Sequence, residues 1–213
     1  MYENSSRTVY TISHSNHTVQ RLIELLVEAK IDAVADVRSV PYSRRLPQCN
    51  QLDLQATLKS KGLEYVFLGH QLGARPKDRC CYRDGVVDYH LIAETEAFRD
   101  GLKRVEKGAE CYKIAMMCAE REPLDCHKTI LIPRRLKERW CNIKHILVDG
   151  KMEGHDRTEE RLLKLMDMDV GDLFGGPRQL NEVISEAFDR RGNEIAYSER
   201  QDFNELDVRA NET

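Results

Sequence analysis

The sequence lacks any apolar run long enough to cross a membrane, and its first residues are too polar for a secretory signal peptide. Its net charge is only −3 over 213 residues, so the composition gives no overall sign of nucleic-acid binding. It has neither a glycine-rich dinucleotide fingerprint nor a phosphate-binding P-loop motif. Internal repeats and low-complexity tracts are absent as well. We therefore expect one main domain in a cytoplasmic protein.

Structural disulfide bonds are not expected either. The chain has seven cysteines, an odd number, and they do not follow the spacing of a disulfide framework. Without a secretion signal, they are expected to be reduced thiols. Most should be chemically inert, because buried free cysteine commonly serves as a small hydrophobic residue.

Hydrophobic periodicity predicts an alternation of strands and helices. Five strands are predicted, at residues 7–13, 31–37, 63–68, 113–118 and 143–148. Helices are predicted at residues 18–30, 50–61, 89–107, 128–139, 157–168 and 179–190, and residues 69–88 form a long connection. The pattern predicts a three-layer α/β fold, with a mostly parallel five-stranded sheet and helices on both faces, Rossmann-like but without the dinucleotide fingerprint. We expect residues 1–190 to form this domain and residues 191–213 a polar tail.

The strongest chemical signal lies in residues 113–128, KIAMMCAEREPLDCHK. An apolar strand ends there in Cys-x-Glu, and a helix then opens with Cys-His. Ligands of open α/β sheets bind where the parallel strands end, and the first two strands end at the same edge. We therefore predict a catalytic group made of Cys118, Glu120, Cys126, His127, His14 and Asp36.

Several interpretations of this group remain open. Cys126 is a candidate nucleophile, because the N–H groups at a helix start favour a thiolate, and Cys118 is a second candidate. Alternatively, both cysteines are core residues. Glu120 and Asp36 are candidates for a general acid or base. The acidic residues of the loop have the wrong sign for the anion cradle of a phosphatase-like or rhodanese-like cysteine enzyme.

Metal binding is a further interpretation, since Cys118, Cys126 and His127 offer soft ligands and His14 a fourth. The spacing C-x7-C-H, however, is not a recognised zinc motif. Adjacent residues such as Cys126 and His127 also seldom point to one centre. The sequence therefore predicts no metal site and identifies no cofactor.

Basic residues in two loops are predicted to bind an anion. The loop after the second strand is stiffened by two prolines and carries three arginines, and Arg75 and Lys77 of the long connection are placed over the same crevice. Arginine forks match phosphate and carboxylate groups. The predicted anion-binding residues are Arg38, Arg44, Arg45, Arg75 and Lys77. The alternatives are a solvated surface run and, for Arg38, an ion pair with Asp36 or Glu120.

The motifs together resemble a known family, domain of unknown function 488. The resemblance rests on residues 10–16, 36–43, 68–69, 72–73, 75–78, 117–120, 123, 126–127, 145–147, 149–150 and 195–197. It implies an α/β sheet domain with these motifs at one edge, and it implies no particular reaction. One departure is Ser13, where the family usually has glycine, which implies a less tight turn before His14.

We therefore expect an enzyme that acts on a phosphate-bearing substrate, a nucleotide or a nucleic acid, in the crevice at the strand ends. Two alternatives are a non-catalytic module that binds a nucleotide or nucleic acid, and a sulfur-handling enzyme with a reactive cysteine. The expected partners are accordingly a phosphate-bearing small molecule or a nucleic acid, and no membrane.

Overall fold

The central sheet contains the five predicted strands and one more. The computed structural model describes residues 7–199 apart from residues 15, 16, 45, 138, 140, 169, 170, 173–175 and 178. In chain order its elements are β1 (Arg7–Ser13), α1 (Val19–Glu28), β2 (Ala33–Asp36), α2 (Gln51–Ser60), β3 (Glu64–Phe67), α3 (Gly69–Leu72), β4 (Tyr82–Arg83), β5 (Val86–Val87), α4 (Tyr89–Glu94), α5 (Glu96–Gly108), β6 (Ile114–Cys118), α6 (His127–Ile130), α7 (Ile132–Lys137), β7 (Cys141–Ile146), β8 (Met152–Gly154), α8 (His155–Leu165), β9 (Gly171–Asp172), β10 (Gly176–Pro177) and α9 (Leu180–Ile195).

The strands of the sheet lie in the order β3-β2-β6-β1-β7-β8. The five predicted strands all run parallel to one another. The additional strand, β8, pairs antiparallel with β7 at one edge. It has only three residues, too few for a periodic signal. The predicted three-layer, mostly parallel α/β architecture is confirmed.

The two faces of the sheet carry separate hydrophobic cores. Alternate residues of β6 supply them: Met116 and Cys118 belong to one core, and Ala115 and Met117 belong to the other. Helices α4, α5 and α7 cover the first face, which we call the α5 face. Helices α1 and α2 cover the second, the α1 face. Because side chains alternate along a strand, the face of each strand-end residue follows from this pattern.

Two helices predicted as continuous are each broken in two. The first breaks at Thr95, which has extended backbone and whose hydroxyl accepts a hydrogen bond from the Phe98 N–H, so it begins a new helix, α5. The second breaks at Leu131, between α6 and α7. Pro133 follows this break, and proline has no N–H to donate to the preceding turn.

The long connection of residues 69–88 contains regular structure. It begins with α3 and continues into the hairpin β4–β5. The hairpin turn is Asp84-Gly85, and both residues have positive φ, 51° and 79°. An Asp-Gly pair in this conformation is the favoured two-residue hairpin turn.

The described chain continues its fold beyond residue 190, where the sequence predicted that the polar tail begins. Helix α9 runs to Ile195. Tyr197 then packs against the core of the α5 face, and its carbonyl accepts a hydrogen bond from the Val87 N–H at 2.9 Å. Residues 200–213 lie outside the described residues. Among the helices described, none has the length and apolar character needed to span a bilayer.

Candidate active site

Four of the predicted catalytic residues meet in one place on the α5 face, together with Lys128. We call Cys118, Glu120, Cys126, His127 and Lys128 the thiol cluster. The Cys126 sulfur lies 2.8 Å from Glu120 Oε2 and 3.8 Å from His127 Nδ1. The Cys118 sulfur lies 3.8 Å from the same His127 nitrogen. Cys126 is 0% and Cys118 only 2% exposed, so both thiols are buried.

Local structure explains this convergence. Cys118 is the last residue of β6, and a single 3₁₀ turn, Pro123–Asp125, returns the chain so that Cys126 sits beside it. A helix start at Cys126 favours a thiolate only where the helix is long enough to have a substantial dipole. Helix α6, however, has only four residues, His127–Ile130, and its dipole is correspondingly small. Positive charge reaches the sulfur from side chains instead.

The Cys126 thiol loses its proton more readily than an ordinary cysteine. Burial raises the pKa of this group, but the hydrogen bond with Cys118 and the charges of Lys128 and His127 outweigh that effect, and its pKa lies well below the ordinary value. Cys118 behaves in the opposite way. Burial, the hydrogen bond with Cys126 and the negative charges nearby raise its pKa well above the usual range. The pKa values of the two neighbouring thiols are therefore shifted in opposite directions.

The partners of Cys126 complete a proton-sharing group. The carboxyl end of Glu120 is turned in towards Cys126, and there burial and the charge of the sulfur raise its pKa. Glu120 is also the exposed member of the cluster. Burial lowers the pKa of His127, but interactions with Cys126 and Glu120 outweigh burial and raise it. The other ring nitrogen, Nε2, is buried without a hydrogen-bond partner among the described residues.

Lys128 is the member that the sequence analysis missed. It is 1% exposed, and although burial lowers the pKa of its ammonium group, Cys126, Cys118 and Glu120 raise it overall. A lysine directly after Cys-His in a predicted amphipathic helix looks like a surface residue. The signal that could have found it is spacing: Lys128 precedes Leu131 and Ile132 by three and four residues, which places it on the apolar face of a helix.

The other predicted catalytic residues, Asp36 and His14, form a second group with Arg38. Asp36 accepts hydrogen bonds from the Arg38 side chain, from Nε at 2.9 Å and from Nη2 at 2.6 Å, and from the Tyr65 hydroxyl at 2.7 Å. Arg38 Nη1 donates to His14 Nε2 at 3.2 Å and to the Cys49 carbonyl at 2.9 Å. Burial and the charge of Arg38 lower the pKa of His14 to about 4, so its ring is neutral.

The predicted catalytic group is therefore split between the two faces of the sheet. Asp36 follows Val34, a residue of the α1-face core, with one residue between them, and so points to that face. His14 likewise lies two residues after Ile12, which also belongs to the α1-face core, and so points to the same face. Cys118 points to the α5 face. The backbones still meet at one edge, where the His14 N–H donates to the Cys118 carbonyl at 3.0 Å.

The described members of the predicted anion-binding group do not form one site. Arg38 is committed to the buried ion pair with Asp36, the alternative that the sequence analysis left open. Arg44 is exposed, and Arg45 lies outside the described residues. Arg75 and Lys77 line a cavity of about 340 Å³ with Ser39, Gly69 and Gly73, residues that follow the carboxyl ends of β2 and β3. The Arg75 guanidinium also stacks on the Tyr197 ring, with its carbon 4.2 Å from the ring centroid.

Comparison with known proteins gives one match. The family model described as "Domain of unknown function DUF488" matches residues 18–134, more than half of the chain, and confirms the resemblance read from the motifs. The match includes the thiol cluster and the Asp36–Arg38 pair. No curated protein and no solved structure matches the chain.

Proposed function

The chain belongs to the family domain of unknown function DUF488, and we propose that it is a thiol-dependent enzyme whose nucleophile is Cys126. One observation carries the proposal: a buried cysteine sulfur lies beside a lysine and a histidine that lower its pKa, and 2.8 Å from a carboxyl oxygen. A thiolate next to a proton-holding group is the arrangement that nucleophilic catalysis needs. A structural cysteine requires none of these partners.

Each residue of the thiol cluster has its own role in the proposed reaction. Cys126 Sγ forms a bond to an electrophilic carbon of the substrate, and the bond from that carbon to the leaving group breaks. Glu120 gives its proton to the leaving group and then, as a carboxylate, accepts a proton from water. That water displaces the sulfur, which returns to the thiolate. Lys128 and His127 stabilise the thiolate before and after the reaction.

Glu120 also controls access to the sulfur. It is the exposed residue in contact with Cys126, which is itself fully buried. A rotation of the Glu120 side chain is therefore the most direct way to uncover the nucleophile.

For the substrate we propose a phosphate-bearing compound, as the sequence analysis expected. The cavity lined by Arg75 and Lys77 lies at the same strand-end edge and supports this choice. The phosphate is recognised there and is not the group attacked, because the acidic residues of the 119–125 loop do not suit a phosphoryl cradle.

The same cavity supports a second candidate function, a non-catalytic module that binds a nucleotide or nucleic acid. The two functions differ in what the thiol cluster does. A non-catalytic binding module keeps its affinity for a phosphate-bearing ligand when Cys118, Glu120 and Cys126 are replaced together. It converts no substrate, either before or after the replacement. Steep salt dependence of binding favours nucleic acid over a small ligand.

Thiol alkylation read by mass spectrometry tests the proposal. The reduced protein is treated with a chelator and then with iodoacetamide over a series of pH values. We expect Cys126 to react at lower pH than the other buried thiols, and Glu120→Ala to accelerate it by uncovering the sulfur. Cys141 is the matched internal control, because it is buried and burial raises the pKa of its thiol. If Cys126 reacts no faster than Cys141, even in Glu120→Ala, the proposal fails.

A further inference from the structure

We infer that the thiol cluster is also a binding site for a soft divalent cation, with Zn²⁺ the expected ion. The ligands are Cys118 Sγ, Cys126 Sγ, His127 Nδ1 and a carboxylate oxygen of Glu120. These four atoms lie within 4.8 Å of one another. Adjacent residues seldom share a metal, but here Cys126 Sγ and His127 Nδ1 lie 3.8 Å apart, within reach of one ion.

The distances are close to those of a tetrahedral zinc site. Bonds of about 2.0 Å to nitrogen or oxygen and 2.3 Å to sulfur place neighbouring ligand atoms about 3.3–3.8 Å apart. Both sulfur-to-nitrogen distances involving His127 Nδ1 are 3.8 Å. The contact between Cys126 and Glu120, at 2.8 Å, is the one that must lengthen. Glu120 is exposed, so its side chain can withdraw without repacking the core.

The charges also favour a cation. When the metal binds, the two thiolates and the carboxylate carry three negative charges, and a divalent ion leaves one of them unbalanced. Lys128, buried and interacting with both sulfurs, supplies the missing positive charge. A buried lysine beside two cysteines and a carboxylate thus has a clear electrostatic role. Two thiolates and an imidazole select zinc over magnesium and calcium.

Metal binding gives the cluster a second, closed state. Four protein ligands leave no open coordination position, as in structural zinc sites. A metal on Cys126 occupies the lone pairs that a nucleophile needs. The inference uses the same residues as the proposed enzyme, but it does not depend on it, because a metal can bind these atoms whether or not Cys126 reacts with a substrate.

Cobalt titration of the reduced, chelator-treated full-length protein tests the inference. We expect one equivalent of Co²⁺ to produce a sulfur-to-cobalt charge-transfer band with tetrahedral visible transitions, and Zn²⁺ to abolish both. The Cys118→Ser variant is expected to lose the band, while Cys141→Ser, which changes another buried thiol, retains it. Absence of the band in the wild-type protein, or its persistence in both Cys118→Ser and Cys126→Ser, overturns the inference.

A second measurement covers the case in which a buried cysteine variant does not fold. Glu120 is exposed, so Glu120→Gln is expected to fold, and we expect it to bind Zn²⁺ at least tenfold more weakly. Zn²⁺ should also release protons from the wild-type protein, because Cys118 must lose its proton to bind the metal. Unchanged affinity in Glu120→Gln together with no proton release contradicts the site.

Alkylation separates this inference from the proposed function. With Zn²⁺ bound, Cys126 should be protected, and the chelator should restore its reactivity. Cobalt binding with a Cys126 that remains unreactive after chelation would support the metal site and reject the enzyme. Fast alkylation of Cys126 without cobalt binding would support the enzyme and reject the metal site.

Discussion

Arg38 and Asp36 form a buried ion pair at the edge of the sheet, with the shortest contact at 2.6 Å and side chains only 6% and 0% exposed. Tyr65 and the backbone N–H of Arg38 also donate to Asp36, which satisfies both carboxylate oxygens. The pair therefore fixes the start of the loop that follows β2. Replacing the arginine is therefore expected to act on stability.

Arg38→Ala is predicted to destabilise the protein strongly. It leaves the Asp36 carboxylate buried without its counter-charge, and breaking a buried pair on one side typically costs about 3–5 kcal/mol. Urea unfolding of the variant measures the loss. Arg44→Ala is the control, since Arg44 is exposed and a surface change usually stays within about 0.5 kcal/mol. Equal unfolding midpoints for Arg38→Ala and the wild-type protein would show that the pair is not structural.

Lys128→Met is predicted to slow the alkylation of Cys126 at neutral pH by roughly tenfold or more, because it removes a positive charge that stabilises the thiolate. The reaction should recover at higher pH, where the thiol ionises without help. The rate is read at Cys126 by mass spectrometry in metal-free protein. Lys59→Met, on the exposed side of α2, should leave the rate unchanged. An unchanged rate in Lys128→Met would mean that the lysine does not set the charge of Cys126.

Much of the fold was predictable because its signals are local. The apolar run at residues 114–118 is buried along its whole length, as a central parallel strand requires. The breaks at Thr95 and Leu131 were missed because the hydrophobic periodicity continues across them. Strand β8 is too short to show a pattern.

The candidate site was predictable only in part. Strand ends identified the edge of the sheet, but not which face each side chain takes. That choice depends on strand register, which separates Cys118 from Asp36. Lys128 was missed because lysine is rarely buried without a partner. Its spacing from Leu131 and Ile132 does place it on the apolar face of the helix, but the thiols and the carboxyl that accompany it there come from elsewhere in the chain.

Two buried histidines are predicted to make the protein sensitive to acid. The Thr11 hydroxyl lies 2.7 Å from His145 Nδ1, and His145 Nε2 lies 3.0 Å from His155 Nδ1. Burial lowers the pKa of His145 well below its usual value and that of His155 to about 4. The folded state therefore binds fewer protons than the unfolded chain, in which histidine titrates near 6.5. The stabilising contribution is present above about pH 6.5 and is lost as the pH falls towards 4.

His155 alone should reduce the free energy of unfolding by about 2 kcal/mol between pH 7 and pH 5. Urea unfolding at both pH values measures this difference. His155→Gln keeps a hydrogen-bonding group beside His145 but cannot titrate, so its pH dependence should be smaller. A pH dependence that His155→Gln leaves unchanged would assign the acid sensitivity to other groups.

Gly69→Ala is predicted to destabilise the edge of the sheet at the carboxyl end of β3. A Cβ atom at this position would lie 2.0 Å from the Arg38 carbonyl oxygen and 2.6 Å from the Phe67 ring. The Arg38 carbonyl is part of the backbone that the Arg38–Asp36 ion pair holds in place, so it cannot move away from the added methyl group. Overpacking of this kind costs about 3 kcal/mol. The displacement caused by the added methyl group should also disturb the cavity that Arg75 and Lys77 line, because Gly69 lines it too.

Gly154→Ala is the matched control for this prediction. A Cβ atom there has nothing within 4 Å, and the backbone φ of −71° suits any residue. Since Gly154 is the N-cap of α8, its replacement should cost at most about 1 kcal/mol. Thermal and urea unfolding of the two variants give the comparison. If Gly69→Ala is as stable as Gly154→Ala, the chain after β3 can move away from Arg38, and the close approach is not what requires glycine at this position.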